Sequence, residues 1–348
     1  MGRCELRRYG SIMVMDIRTH YLGLELAHPV VASASPLTAD LEGILRVADA
    51  GASAIVMASV FEEDIRAQEL AEAALWETGE NSHPEAAGYF PVMPHASPLD
   101  GRLAVLRSAS ERAGVPIIAS LNGCTPAGWL RFAKDMEQAG ASAIELNFWH
   151  IPTNPDETGA QVEERCIQIL RDVRAQVKVP VSVKLSPFFS SLGNMVKRLS
   201  ENGADGIVLF NSFYEPGLRS LTDSAEVDFI PSSAYELRLP LMWAVLLSEH
   251  CQADLAISGG VHSGMDVAKC LLAGADVAMV TSVLLQQGPS YISTLLEELR
   301  EWMSVQKLGS VKEFKGRMAA RGTATQAEDF LRTQYRHILS AHFTDIAG

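Results

Sequence analysis

One pattern recurs four times along the chain and constrains its fold more than any other feature. It reads Ala50-Gly51-Ala52-Ser53-Ala54-Ile55-Val56-Met57, then Ala139-Gly140-Ala141-Ser142-Ala143-Ile144-Glu145-Leu146. It returns as Asn202-Gly203-Ala204-Asp205-Gly206-Ile207-Val208-Leu209 and as Ala273-Gly274-Ala275-Asp276-Val277-Ala278-Met279-Val280. Each copy follows an amphipathic run and leads into a short apolar one. Such a unit is a helix stopped by a left-handed glycine, a tight turn, and a strand buried on both faces.

Four further apolar runs complete the set: Pro29–Ser33, Val115–Ser120, Val179–Leu185 and Asp254–Ser258. Two of these carry Pro beside their first residue, a position that strands tolerate. Helical patterns separate the runs near 39–50, 99–113, 126–139, 160–176, 190–202, 235–250, 263–273 and 285–304. Eight strand–helix units in strict alternation predict an α/β chain folded as a (β/α)₈ TIM barrel. No glycine-rich dinucleotide fingerprint follows the first strand, which disfavours a doubly wound sheet. Two connections, 59–98 after strand two and 212–234 after strand six, are too long for plain turns and lie on the catalytic side of a barrel. The first holds Trp76, Tyr89 and Phe90, the second Phe213, Tyr214 and Arg219. Extra C-terminal helices are expected at Phe314–Ala319 and Gln326–Ile338. Residues 1–15 read as a poorly ordered extension, with Met13 or Met15 as alternative starts, and 16–340 as one barrel domain.

At a formal net charge of -13 the chain is a poor partner for nucleic acid or an anionic membrane. No apolar stretch is long enough to span a bilayer. The Cys residues, Cys4, Cys124, Cys166, Cys251 and Cys270, show neither metal spacing nor even number, which fits free thiols in a cytoplasmic setting.

Polar residues at the C-terminal ends of barrel strands carry the chemistry. In order they are Ser33 and Ser35, Ser59, Ser120 and Asn122, Glu145 and Asn147, Lys184, Asn211 and Ser212, Ser258-Gly259-Gly260, and Thr281-Ser282. The set is rich in hydroxyls and amides, poor in carboxylates, and has no metal cluster, so hydrolysis through paired carboxylates or metals is disfavoured. Gly259-Gly260 with Thr281-Ser282 matches the common barrel phosphate site, and the helix near Ser263 would turn its positive end toward the anion; a plain tight turn is the competing reading. Lys184 would point into the barrel mouth and need a ligand or acid, unless it snorkels to solvent. Asn147 suits the edge of a heteroaromatic ring, or else caps a loop. His150, three residues past strand four, is by itself better explained by structure than by catalysis.

At these residues the chain resembles the dihydroorotate dehydrogenase family and the related pyrimidine-reducing domain of dihydropyrimidine dehydrogenase. The matching runs are Glu145-Leu146-Asn147, Val183-Lys184-Leu185-Ser186-Pro187, Asn211-Ser212, and Ser258 to Val267 continuing to Thr281-Ser282. The resemblance implies FMN at the barrel mouth. Ala34 and Ser35 would touch the ring with Ser59 nearby, Asn147 and Lys184 would meet its polar edge, and Asn211 would also contact the cofactor. Gly259, Gly260, Thr281 and Ser282 would hold the phosphate. The substrate side departs from the family pattern. His150 stands where the family has a Cys or Ser base, and Ala58 stands where it has a Lys.

The first reading is therefore an FMN-dependent oxidoreductase acting on a CH–CH bond of a small ring, with His150 and Lys184 catalytic. Its substrate, dihydroorotate or a related dihydropyrimidine, would lie near Asn122, Asn147, Asn211 and Ser212. Cys124 is a second candidate base. The alternatives are a lyase or isomerase of a phosphorylated metabolite and a flavin-holding subunit or pseudoenzyme serving an electron-transfer partner protein. Barrels of this kind also form homodimers through their outer surface.

Overall fold

Eight strands pair in parallel and in chain order: β1 (Val30–Ala32), β2 (Ile55–Val56), β3 (Ile117–Asn122), β4 (Ala143–Asn147), β5 (Val181–Leu185), β6 (Gly206–Leu209), β7 (Asp254–Ser258) and β8 (Val277–Val280). β1 pairs with β8 on one side and β2 on the other, and β2 continues onto β3, so the sheet closes on itself. The computed structural model describes residues 15–67, 70, 98–123, 125–212, 230–320, 329, 331–337 and 339–340. The aromatic parts of both long connections and Cys124 lie outside them.

Seven helices each follow a strand: α1 (Leu41–Asp49), α2 (Pro98–Arg112), α3 (Pro126–Gln138), α4 (Gly159–Arg174), α5 (Leu192–Glu201), α6 (Arg238–Leu247) and α7 (Gly264–Leu272). The repeated glycines end the preceding helices as expected. Gly51, Gly140, Gly203 and Gly274 have φ of 92°, 96°, 99° and 103°, a region that side chains bearing Cβ avoid.

Because side chains alternate along a strand, the closed sheet sorts its apolar residues into two separate clusters. Val30, Ile55, Ile144, Val183, Ile207 and Ile257 face outward and pack with helix residues such as Ile44, Phe132, Leu170 and Leu199. Val31, Val56, Ile118, Ala143, Val208, Ala256, Val277 and Met279 belong to the inner cluster. Tyr21, Leu22 and Leu26 complete that inner cluster from an N-terminal hairpin, Thr19–Tyr21 with Leu24–Leu26, which the periodicity did not reveal. Its turn places Leu22 and Gly23 at φ of 55° and 69°, and the Leu22 N–H donates to Asp254 Oδ2 at 2.7 Å. The hairpin plugs the N-terminal end of the barrel, which leaves the opposite end for polar residues.

Three expectations need correction. The single helix expected at 285–304 is two, α8 (Ser282–Gln287) and α9 (Tyr291–Val305), because Gly288 at φ 83° and Pro289 interrupt it. The 235–250 helix opens as a 3-10 turn at Ala234–Leu237 before α6. Phe314–Ala319 forms turns rather than a helix. Its Gly316 and Met318 N–H groups donate to the terminal carbonyls of α7, at Leu271 and Leu272, each at 2.9 Å, so this segment caps α7 instead of coiling on itself. Residues 331–337 are helical; the remainder of Gln326–Ile338, apart from Asp329, lies outside the described residues.

Tyr21 is fully buried in the plug. Tyr21→Ala is expected to lower the unfolding free energy by about 3–5 kcal/mol in urea titration, the usual loss for a large core aromatic.

Candidate functional site

A cavity of about 770 Å³ opens over the C-terminal ends of β1, β5, β6, β7 and β8. Ser33 and Ala34, Lys184, Asn211 and Ser212, Gly259 and Gly260, and Thr281 and Ser282 line it, so most of the residues singled out from the sequence meet in one place. Ile230, Pro231, Tyr235 and Leu239 form a more apolar wall.

Lys184 is inward-facing on β5 and only 7% exposed. Among the described residues its hydrogen bond goes to the Ser33 hydroxyl at 3.2 Å. An ammonium group has three protons to donate, so a buried one with a single neutral partner is suited to a carbonyl or anionic ligand. Asn211 donates through Nδ2 to the carbonyls of Phe148 and Lys184, both at 3.4 Å, which leaves its amide oxygen as the acceptor for a ligand.

The other end of the cavity is built from backbone and hydroxyls. Gly259 and Gly260 have φ of 99° and 74°. A Cβ on Gly260 would lie 2.3 Å from the Leu237 nitrogen, whereas one on Gly259 would meet nothing within 4 Å and would fill open space instead. Ser232 completes this end. Its Oγ lies 2.8 Å from Ser282 Oγ and accepts the Gly260 N–H at 3.2 Å, while its carbonyl lies 2.7 Å from His262 Nε2. The sequence reading missed Ser232. Its signal was the Ser233/Glu236 capping box that ends the long connection after β6.

The expected role of the helix near Ser263 is overturned. Asp266 Oδ2 accepts the N–H groups of His262 and Ser263 at 3.2 and 3.1 Å, and Glu298 accepts that of Gly264 at 2.6 Å. Two carboxylates already occupy the positive end of α7, and an incoming anion would meet their repulsion.

Asn122 and His150 are not brought to this cavity. They line a neighbouring cleft of about 500 Å³ with Trp129, Phe148, Trp149 and Phe188. His150 Nε2 accepts from Arg165 of α4 at 3.2 Å, and Arg165 also pairs with Glu157. Trp149 Nε1 donates to the Ser212 carbonyl at 3.3 Å, so the loop after β4 lies across the boundary between the two spaces. Ser59 and Asn147 are joined by a 3.2 Å hydrogen bond between β2 and β4. Ser35 is buried and donates its N–H to Thr38 Oγ1, outside the cavity wall. Ala58 offers its carbonyl to Arg102 at 2.7 Å, and burial pulls the Arg102 pKa below its ordinary value.

Fold and site together define a (β/α)₈ barrel with a large polar-lined cavity at its strand C-termini. The profile of the family described as Dihydroorotate dehydrogenase matches residues 99–303, more than half of the chain, which therefore belongs to that family. Its relatives are named as dehydrogenases. The NADP(+) dihydropyrimidine dehydrogenase of Arabidopsis thaliana is 23% identical over 54% of this chain, which spans about half (48%) of the plant protein. The catalytic subunit of dihydroorotate dehydrogenase B (NAD(+)) from Methanothermobacter thermautotrophicus is 27% identical over 58% of this chain and 68% of its own. The corresponding subunit from Thermoplasma acidophilum is 22% identical over 86% of this chain and 98% of its own.

Asp266 fixes the turn between Gly260 and α7. Burial works against its ionisation, but hydrogen bonds from Lys269, Ser263 and the His262 N–H outweigh that and hold its pKa below the ordinary carboxylate value. A lowered native pKa contributes stability that is present above the unfolded pKa and lost as pH falls through the native one. Asp266→Asn is expected to cost on the order of 1 kcal/mol at pH 7. The difference should shrink as pH drops below about 4, read from urea midpoints across pH.

Proposed function

We propose that the chain is an FMN-dependent oxidoreductase acting on a CH–CH bond of a small ring substrate, dihydroorotate or a related dihydropyrimidine. The observation that carries this reading is the pairing of opposite demands along one cavity. Buried Lys184, with its spare protons, lies at one end, and the Gly259–Gly260 and Thr281–Ser282 cradle lies at the other. Asn147 adds a buried Oδ1 that has no partner among the described residues. These groups fit a flavin: Lys184 and Asn147 would take its polar edge, and the glycine and hydroxyl end would take its phosphate.

FMN, when bound, supplies the centre that exchanges hydride with substrate. Lys184 would hold the ring's polar edge, where its positive charge would favour an anionic form of the bound group. Asn211 offers its amide oxygen on the substrate side, with Ser212 beside it. The candidate base His150 lines the adjoining cleft, so it would move the proton of a substrate that reaches from the cavity past the Trp149–Ser212 contact. Substrate identity follows the names of the relatives, and so does the chemistry of its ring.

A second reading has one observation in its favour: several relatives are named as subunits, among them the dihydropyrimidine dehydrogenase subunit PreA of Escherichia coli, 25% identical over 68% of this chain. In that reading the barrel holds flavin and passes electrons to a partner protein. Turnover with an artificial acceptor, without added protein, distinguishes the two.

The purified protein is expected to show a flavin absorption spectrum and to release FMN on denaturation. A colourless protein that takes up no added FMN would overturn the proposal. Lys184→Met is expected to weaken FMN binding by about tenfold to a hundredfold, the value of a charge-assisted hydrogen bond, in a fluorescence titration. His150→Ala is expected to leave that titration unchanged and to lower kcat by about 10²- to 10⁴-fold, measured with dihydroorotate and dihydrouracil.

A further inference from the structure

Glu145 is fully buried inside the barrel on β4, two residues before Asn147 and therefore on the same inward face. Among the described residues one of its oxygens, Oε2, has no hydrogen-bond partner, a costly state for a carboxyl group to hold in a packed interior. The other, Oε1, accepts the hydroxyl of Ser120 on β3 at 3.1 Å. Ser120 lies 2.8 Å from Ser59, and Ser59 accepts from Asn147 Nδ2 at 3.2 Å.

The direction of this chain is set from its buried end. A serine hydroxyl has one proton. With the Ser120 proton given to Glu145, the bond between the serines must be donated by Ser59. With the Ser59 proton spent in turn, its oxygen can only accept, so Asn147 must turn its NH₂ toward Ser59. Asn147 Oδ1 is then the atom left over, buried and unpartnered, beside Lys184 in the strand register. Lys184 can only donate, and Asn147 Oδ1 can only accept.

We propose that Glu145 is a positioning residue that, through Ser120 and Ser59, locks Asn147 with its oxygen free, so that Lys184 and Asn147 together read the C=O and N–H of an imide edge. This deepens the flavin reading and rests on it for the identity of the ligand. An Asn free to flip would accept a ring nitrogen with or without its proton; a locked one rejects the ring that lacks it.

Two measurements test it. The first needs no flavin: the exchange rate of the Asn147 side-chain NH₂ protons by ¹H–¹⁵N NMR, assigned by their loss in Asn147→Asp. Wild type and Glu145→Gln, whose amide oxygen can still accept from Ser120, are expected to exchange alike. Glu145→Leu, Ser120→Ala and Ser59→Ala should each exchange about tenfold faster, on the scale of one hydrogen bond. Leucine fills the volume of Glu145, so a merely structural role would make Leu and Gln equivalent. The second measurement compares binding of FMN with that of FMN methylated at the ring imide nitrogen, by fluorescence quenching. The wild-type preference for FMN should fall about tenfold in Ser120→Ala and Glu145→Leu and persist in Glu145→Gln. Equal exchange in wild type and Glu145→Leu overturns the lock, whatever binds. Absence of any FMN binding, with exchange still governed by Glu145, upholds the lock and removes the flavin reading.

Discussion

The inside of an eight-stranded barrel is filled by side chains, and every polar group it admits must be paired there or reach its mouth. The structure of this protein follows from how that space is divided. At the N-terminal end the hairpin plug of Tyr21, Leu22 and Leu26 meets small and branched strand residues and leaves an apolar floor. Above it the inward positions change character: Ser120 and Asn122 on β3, Glu145 and Asn147 on β4, Ser182 and Lys184 on β5. A plugged barrel can place polar groups only toward its open end, and the ligand cavity is the result.

Several polar groups of that upper layer are held by neighbours on other strands or strand ends. Asn211 is pinned by the carbonyls of Phe148 and Lys184, Lys184 reaches Ser33 across the barrel, and Asn147 is tied to Ser59. Short links between rigid strands leave little freedom, which keeps a site in shape before its ligand arrives. The loops beyond the strands are organised differently. Ser232 is gripped by Ser282 and His262, and the turn before α7 is stitched by Asp266 and Glu298. Carboxylates serve there as caps, and the nearby end of the cavity presents glycine amides and hydroxyls.

The two positions that the sequence reading set against the family pattern, Ala58 and His150, lie apart in the structure. Ala58 sits at the end of the second strand, with its carbonyl taken by Arg102 from α2. His150 is turned toward Arg165 on α4 and lines the aromatic cleft beside the main cavity. Neither residue lines the cavity that holds Lys184 and the Gly259–Gly260 pair.

Much of this was legible in the residues alone. The four glycine-ended units gave the alternation and hence the barrel, because a helix stop followed by a doubly buried strand has few other uses. The polar strand ends Lys184, Asn211, Gly259, Gly260, Thr281 and Ser282 were legible for a similar reason: strand parity and strand end are local properties. What the chain could not disclose was anything decided by partners distant in sequence. The Thr19–Leu26 hairpin has no periodicity of its own and is fixed by Asp254 and Asp276. The positive end of α7 looked available until Glu298, 34 residues away, was found to occupy it. His150 and Asn122 appeared to belong with Lys184 but line a different space, since a loop's direction depends on what it packs against. Sequence determined the order of strands and which side chains face inward, because both follow from short-range periodicity; tertiary structure decided which of those side chains meet, because hydrogen-bond partners are chosen across the barrel.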